Sequence, residues 1–576
     1  MLPTARPLPL HGLRCMLVST VFPEPGASAA GVRDFHLLEL LRASGASSLL
    51  LASPANLTPA ARAAERRFGC QLVRAVSNSR CFEDTVAEFR PDLVLLDRFV
   101  MEEQFGWRVR RAWPRAVRIL DTQDLHFVRA ARQAVVERVA PLPHAAPSLL
   151  SSKAPASEPL PPSARASSHS DKTKSGLSAL VESAALRLSP HDSRLCRELA
   201  AIHRSDLCLV VSPYERHLLT AHFGVPAAKV AAPAPFLYDD ALLERQAHSR
   251  FDGDARPFDE RANFTTIGNF RHAPNADALC FTALEVWPRV REHLRALATI
   301  APVPAAATEL PPHLPLFDPE RVEFHAYGAY PAPEHMALDN RASGFRVLGP
   351  LSAETNLSRR LARYRVHLAP LRFGAGVKGK IADSWLAGVP VVTTPIGAEG
   401  MYDSAHGMVD APRPPHSVAA FECTPCGMWA PPACGEGITA PQSPPHFGGL
   451  VAALDNADAI AAAAARLYTD RALWAACQAV GARTLRTRFS AAAVGPGLAR
   501  ELAAAVHQCP QRRAADALQG AFWTRDAASV EHMSRFVQQK HGGDGSGSSA
   551  VKLSQADSDC VQSGVPIPPE SLVVVL

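Results

Sequence analysis

The sequence predicts an α/β fold with two parallel, doubly wound sheets, and three observations predict it. Short runs that are apolar almost throughout alternate with stretches of helical period. The runs fall into two sets, and a polar segment at 245–262, containing RFDGDARPFDERAN, separates them. Strands covered by helices on both faces lose the one-face alternation of a solvated sheet, so near-continuous apolar runs mark parallel sheets. Strand alternating with helix is the pattern of Rossmann-like units. A length of 576 residues also exceeds one ordinary domain.

Taken in order, the first set of strands is expected at 14–20, 48–52, 93–97, 117–121 and 207–212, with a helix at 34–43. The second set is expected at 264–270, 345–348, 366–371 and 389–394, with helices at 275–291, 354–364, 380–387 and 458–468. Pro, Ser and Ala dominate 141–175, and a disordered insert is expected over about 141–190. Pro, Gly and Cys dominate 411–447, a shorter Pro-rich stretch covers 302–316, and HGGDGSGSS opens a tail at 541–576. Such composition buries too little apolar surface to order a chain. The expected organisation is a domain over 1–245, a second over 246–500, helices over 501–540 and a disordered tail over 541–576.

Composition excludes several classes. Hydrophobic residues make up 47% and charged residues 20%, with a net charge of +5, so nothing argues for a nucleic-acid partner. No apolar run reaches the length of a membrane span. The N-terminus, MLPTARPLPLHGLRCMLVSTVF, is broken by Pro, His and Arg and makes a poor signal peptide, so a cytoplasmic protein is expected. The 12 cysteines are scattered, and Cys15, Cys208 and Cys280 sit in apolar runs, as reduced buried thiols do. Cys423, Cys426 and Cys434 have a metal-like spacing but lack a clear fourth ligand, so no metal site is expected.

The stretch that carries chemistry is RVHLAPLRFGAGVKGKIADSWLAGVPVVTTPIGAEGM, from Arg365 to Met401. A strand runs into a Gly-rich loop, and a helix follows. Glycines admit a phosphate close to the backbone, and a helix start offers free N–H groups and a partial positive charge. Arg372, Lys378 and Lys380 add full charges at a helix end where cations are otherwise disfavoured. The loop reads as an anion site suited to a nucleotide diphosphate. Gly374-Ala-Gly376-Val-Lys-Gly379 also matches G-x-G-x-x-G, with Glu399 downstream, so an NAD-dependent oxidoreductase is a rival. The lateness of the motif in the chain and its two lysines count against that rival.

This stretch resembles the donor domain of retaining GT-B glycosyltransferases of group 1, the family 4-like enzymes. Ala387-Gly388-Val389-Pro390-Val391-Val392, then Thr393, Thr394, Gly397 and Glu399, fits the later part of their signature. Gly374 to Ile381 resembles a Gly-x-Gly-x-Lys-x-Lys-Ile variant of the loop, with Ala375 where a Glu usually stands and Asp383 where a second Glu binds ribose. Ile267-Gly268-Asn269-Phe270-Arg271-His272-Ala273-Pro274-Asn275 resembles the first strand and turn of that domain. Phe22-Pro23-Glu24-Pro25-Gly26 with Gly31, Val32 and Arg33 resembles the glycine loop of the acceptor domain, and Asp121-Thr122-Gln123-Asp124-Leu125-His126 resembles a motif at its cleft.

The resemblance implies a GT-B fold and sugar transfer from a nucleotide sugar, with retention and without metal or cofactor. It implies donor binding by Gly268, Arg271, Arg372, Gly374, Gly376, Lys378, Lys380 and Asp383. It implies catalytic positions at His126 and Glu399, and an acceptor or phosphate loop at Gly26, Gly31 and Arg33. The acceptor is an unspecified glycan, lipid or small molecule. A non-transferring nucleotide-sugar binder, which would explain Ala375, and an epimerase are the remaining alternatives.

Overall fold

A computed structural model describes residues 8–24, 29–76, 79–142, 176–248, 256–300, 317–351, 356–402 and 446–524. The first sheet holds β1 (Arg14–Val18), β2 (Ser48–Ser53), β3 (Gln71–Arg74), β4 (Leu93–Asp97), β5 (Val117–Asp121), β6 (Leu207–Leu209) and β7 (Val230–Ala231). The second holds β8 (Ala262–Asn269), β9 (Phe324–Ala329), β10 (Phe345–Gly349), β11 (Tyr364–Ala369), β12 (Val391–Thr393) and β13 (Gly449–Val451). The spatial orders are 3-2-1-4-5-6-7 and 10-9-8-11-12-13. Every pairing is parallel, as between Cys15 and Leu93 or between Val366 and Phe264.

The apolar runs are explained by where their alternate side chains go. Cys15, Leu17, Leu49, Leu51, Leu93 and Leu95 pack on one face of the first sheet. Met16, Val18, Leu50, Ala52, Val94 and Leu96 pack on the other. Both faces are covered, so the strands are apolar at both registers, apart from a few buried polar residues such as Arg118, which is paired with Asp206. Two Rossmann-like domains face each other across a cleft, and this is the GT-B architecture. The chain order reverses between β1 and β4 and between β8 and β11, which opens a crevice at the carboxyl ends of each sheet.

Several elements differ from expectation. Strands β3, β7, β9 and β13 are additional: two are very short, β3 exposes its polar ends, and β9 (FHAYGA) is broken by polar and small residues. The strand expected at 207–212 ends at Leu209, because Ser212 instead caps the helix Pro213–His217 by accepting from Glu215 N. The helix expected at 275–291 is split into Ala273–Phe281, a π turn Thr282–Val286 and Trp287–Ile300. The wide turn precedes Pro288, which has no N–H to give.

The expected insert at about 141–190 is too long. Leu177–Glu182 is helical, and Leu177 and Val181 pack against Val136 of the first domain and Phe373 and Ile396 of the second. Residues 143–175, 302–316 and the tail lie outside the described residues, as does 411–445 of the segment expected at 411–447. Near the C-terminus the helix Ala491–His507 returns to the first domain, where Leu498, Leu502 and Ala505 join its core. Among the described residues, no helix is long and apolar enough to cross a membrane.

Candidate active site in the interdomain cleft

The glycine loop begins where β11 ends. Gly374 has φ +152 and Gly376 has φ +66, so the turn uses backbone conformations that favour glycine. A Cβ at Gly376 would lie 2.9 Å from Asp124 Cβ and 3.2 Å from Gln123 O, so the loop presses directly on the opposite domain. Lys378 then caps the helix Gly379–Leu386. Its ammonium donates to Ala375 O at 3.1 Å and to Gly376 O. Lys380 donates to Asn275 Oδ1 at 2.7 Å, and Asn275 Nδ2 donates to Asn269 O at 2.9 Å. The turn after β8 and the loop after β11 are therefore tied together at the crevice between these two strands. Gly268 is required there, because a Cβ would stand 2.9 Å from Asn275 Nδ2.

Burial lowers both ammonium groups. Lys378 falls to about 8, with Glu399 opposing the shift, and Lys380 falls to about 7, with Lys378 adding to it. The site thus holds two cations that a bound anion would stabilise. Asp383 is half-buried on the following helix, and burial raises its carboxyl to about 7.

Opposite stands the end of β5. Gln123 takes φ +62, and Asp124 and His126 follow. His126 opens the helix His126–Val139, and its Nε2 lies 3.2 Å from Asp124 Oδ1. Asp124 also accepts from Arg129 and is held well below the usual carboxylate range, burial opposing and Arg129 and His126 prevailing. Two buried carboxyls fix this segment. Glu198 accepts from the N–H groups of His126 and Phe127 at 3.1 and 3.0 Å, and Glu215 accepts from Leu125 and Val211 N–H at 3.1 Å each. Burial raises both to about 8.

The two sides meet at Glu399 and Arg132. Glu399 follows the short helix Pro395–Ala398 behind β12. Arg132, from the helix of His126, donates to Glu399 Oε2 at 2.8 Å, to Oε1 at 3.3 Å and to Gly374 O at 2.8 Å. Arg132 did not stand out in the sequence. The available signal is an Arg on the buried face, one residue after Ala131 and four before Val136.

The remaining expected residues are placed differently. Arg372 is not free to receive a phosphate: Nε donates to Asp277 Oδ2 at 2.9 Å, Nη2 to Asp277 Oδ1, and Nη1 to Ala140 O at 2.7 Å. Arg33 is likewise engaged, with Nε and Nη2 each 2.7 Å from Asp121 oxygens in a buried pair. Each guanidinium satisfies a carboxylate that would otherwise be stranded in the interior. Arg271 is exposed and stacks on Tyr330, 4.0 Å from the ring centre. Gly31 lies in the first turn of the helix Ala29–Ala43, where a Cβ would meet Glu24 O at 2.6 Å. Gly26, Cys423, Cys426 and Cys434 lie outside the described residues. Among the described residues, no cluster of three or more His, Cys, Asp or Glu is arranged to hold a metal ion.

Comparison with known proteins bears on this site. Residues 261–421, which contain β8, β11, β12 and the glycine loop, match the family model described as Glycosyl transferases group 1. The match lies within the second domain. No curated protein matches the chain in sequence. Among solved structures, the chain is similar to a glycosyltransferase from Rickettsia africae, at 9% identity over 86% of this chain and 99% of that one, with a TM-score of 0.47. It is similar to a sucrose-phosphate synthase from Thermosynechococcus elongatus, at 14% identity over 87% and 99%, with a TM-score of 0.45. It is also similar to the Anabaena HepE protein in complex with UDP and glucose, at 11% identity over 85% and 99%, with a TM-score of 0.44. In this chain the G-x-G-x-x-G run follows the fourth strand in chain order of its sheet, whereas a dinucleotide fingerprint follows the first. The turn after the first strand, β8, reads Gly268-Asn-Phe-Arg-His-Ala-Pro-Asn and lacks that fingerprint.

Proposed function

We propose that this glycosyltransferase moves a hexose from a nucleotide sugar, with retention of anomeric configuration and without a metal ion, to an acceptor bound on the first domain. The observation that carries the reading is the convergence of Lys378, Lys380 and the N-terminus of Gly379–Leu386 on the β8/β11 crevice, facing Asp124 and His126.

In this reading the donor diphosphate rests on the glycine loop, and Lys378 and Lys380 supply the charge that the leaving nucleoside diphosphate needs as its bond to the sugar breaks. The acceptor oxygen forms the new bond to the anomeric carbon, on the face the diphosphate leaves. Its proton passes to a departing phosphate oxygen. Glu399 orients the sugar and Arg132 holds Glu399. His126 orients the acceptor, and Asp383 binds the ribose. Arg132 and Arg372, which span the cleft to Gly374 O and Ala140 O, favour the closed, water-excluding state.

The test is a transfer assay. The full chain is incubated with UDP-, GDP- and dTDP-hexoses and a panel of sugar acceptors, and products are analysed by mass and by the anomeric NMR coupling. Transfer with an unchanged anomeric configuration in the presence of a chelator is expected. Donor binding followed only by conversion to another nucleotide sugar would replace this reading with an epimerase.

A further inference from the structure

Beside the acceptor face lies a cavity of about 230 Å³ lined by His126, Arg129, Ala130, Gln133 and Arg194. Four of these come from one face of His126–Val139, at the spacing that stacks side chains on a helix. Arg194 arrives from the first turn of the helix Ser193–Arg204. The cavity falls short of the roughly 300 Å³ that holds a whole drug-sized ligand, so it suits one group of a larger molecule.

Its lining is polar, and two of its five residues are arginines. Arg129 donates from Nη1 to Asp124, and the same nitrogen lies 3.4 Å from His272 Nε2 of the second domain. Gln133 donates to Glu137 at 2.8 Å. Among the described residues, Arg194 is paired with no acidic side chain. The acids that these lining side chains contact are Asp124, held by Arg129 and His126, and Glu137, held by Gln133. The contact from Arg129 to His272 places the cavity at the seam where the donor domain begins.

We infer that this cavity binds an anionic oxygen group, phosphate or carboxylate, of the acceptor, with Arg129 and Arg194 as its cations. This rests on the proposed transfer reaction for the identity of the ligand as acceptor. A planar guanidinium pair suits an oxoanion of either kind. The group would anchor the acceptor while His126, on the same wall, faces its reacting hydroxyl.

The test separates this cavity from the donor loop. Inorganic phosphate and glucuronate are titrated by calorimetry into the Lys378→Ala/Lys380→Ala protein, which lacks the loop cations, with and without Arg194→Glu. Arg194 is exposed, so its replacement preserves the fold, and Gln133→Leu serves as a second variant. Binding of either probe that weakens about tenfold in Arg194→Glu supports the inference. A response to phosphate alone assigns a phosphate ester, and a response to glucuronate alone assigns a carboxylate. No binding of either probe, or equal binding with and without Arg194→Glu, overturns it. Nucleotide-sugar binding to the wild type is measured in parallel, and its absence refutes the transfer reading instead.

Discussion

Arg132 of the first domain grips Glu399 of the second with two hydrogen bonds, at 2.8 and 3.3 Å, while the same guanidinium holds Gly374 O at 2.8 Å. One side chain thus links the helix of His126, the glycine loop and the acidic residue behind β12. Arg132 is 1% exposed and Glu399 10%, so neither charge is well hydrated if the other is removed. Arg132→Met and Glu399→Gln are each expected to lower turnover by about 100-fold, equivalent to roughly 2.7 kcal/mol. The double variant is expected to be no worse than the worse single one. Strictly additive losses in steady-state rates would show that the two residues act separately.

If the proposed donor diphosphate rests on Lys378 and Lys380, its binding has a pH dependence of defined sign. Their ammonium groups are lowered to about 8 and about 7, chiefly by burial. A bound diphosphate would favour the protonated forms and raise both pKa values. Nucleotide-sugar affinity is therefore expected to be highest below pH 7 and to fall as pH rises through 7 and 8. The slope approaches one log unit per pH unit for each lysine that must regain a proton. Lys378→Arg, whose charge persists, flattens the upper part of the curve when affinity is followed by calorimetry.

Gly376→Ala tests how closely the domains approach. At φ +66 an alanine costs about 1–2 kcal/mol in backbone energy alone. Its Cβ would also meet Asp124 Cβ at 2.9 Å, which forces the loop away from the first domain. A lower melting temperature and a loss of turnover larger than the loss of stability are expected. A fully active variant would show that this loop need not touch Asp124.

Gly481→Ala reverses the usual rule for a helix interior. In Arg471–Arg488 the change gains about 1 kcal/mol of helix propensity elsewhere. Here the new Cβ would stand 2.7 Å from Trp385 Cδ1, and Trp385 is buried on the helix that follows the donor loop. Net destabilisation of about 1–3 kcal/mol is expected from overpacking, read as a fall in the denaturant midpoint.

Much of the fold was legible because it is written locally. Strands β4 and β5 stand where their runs place them, since burial on both faces demands mostly apolar residues, and the buried Arg118 of β5 is paired with Asp206. The turn of the glycine loop was equally readable, because it depends on Gly374 and Gly376 within a few residues. Strand β9 was hidden by His325 and Gly328, which tertiary packing accommodates and strand propensity does not. The pair of Arg132 with Glu399 was hidden for another reason: 267 residues separate the partners, and only the assembled cleft brings them together. Arg372 and Arg33 looked like phosphate ligands because the sequence gives charge but not partner. Asp277 and Asp121 satisfy them in the fold.

The most direct test of the central claim is thermal stabilisation of the wild type and of Lys378→Ala by UDP-, GDP- and dTDP-sugars and, separately, by NAD. A ligand at a hundred times its dissociation constant adds about 2.7 kcal/mol to apparent stability, which is readily seen as a shifted melting temperature. The account predicts that one nucleotide sugar stabilises the wild type and that Lys378→Ala loses most of the shift. Stabilisation by NAD and by no nucleotide sugar would contradict it and make Gly374–Gly379 a dinucleotide loop.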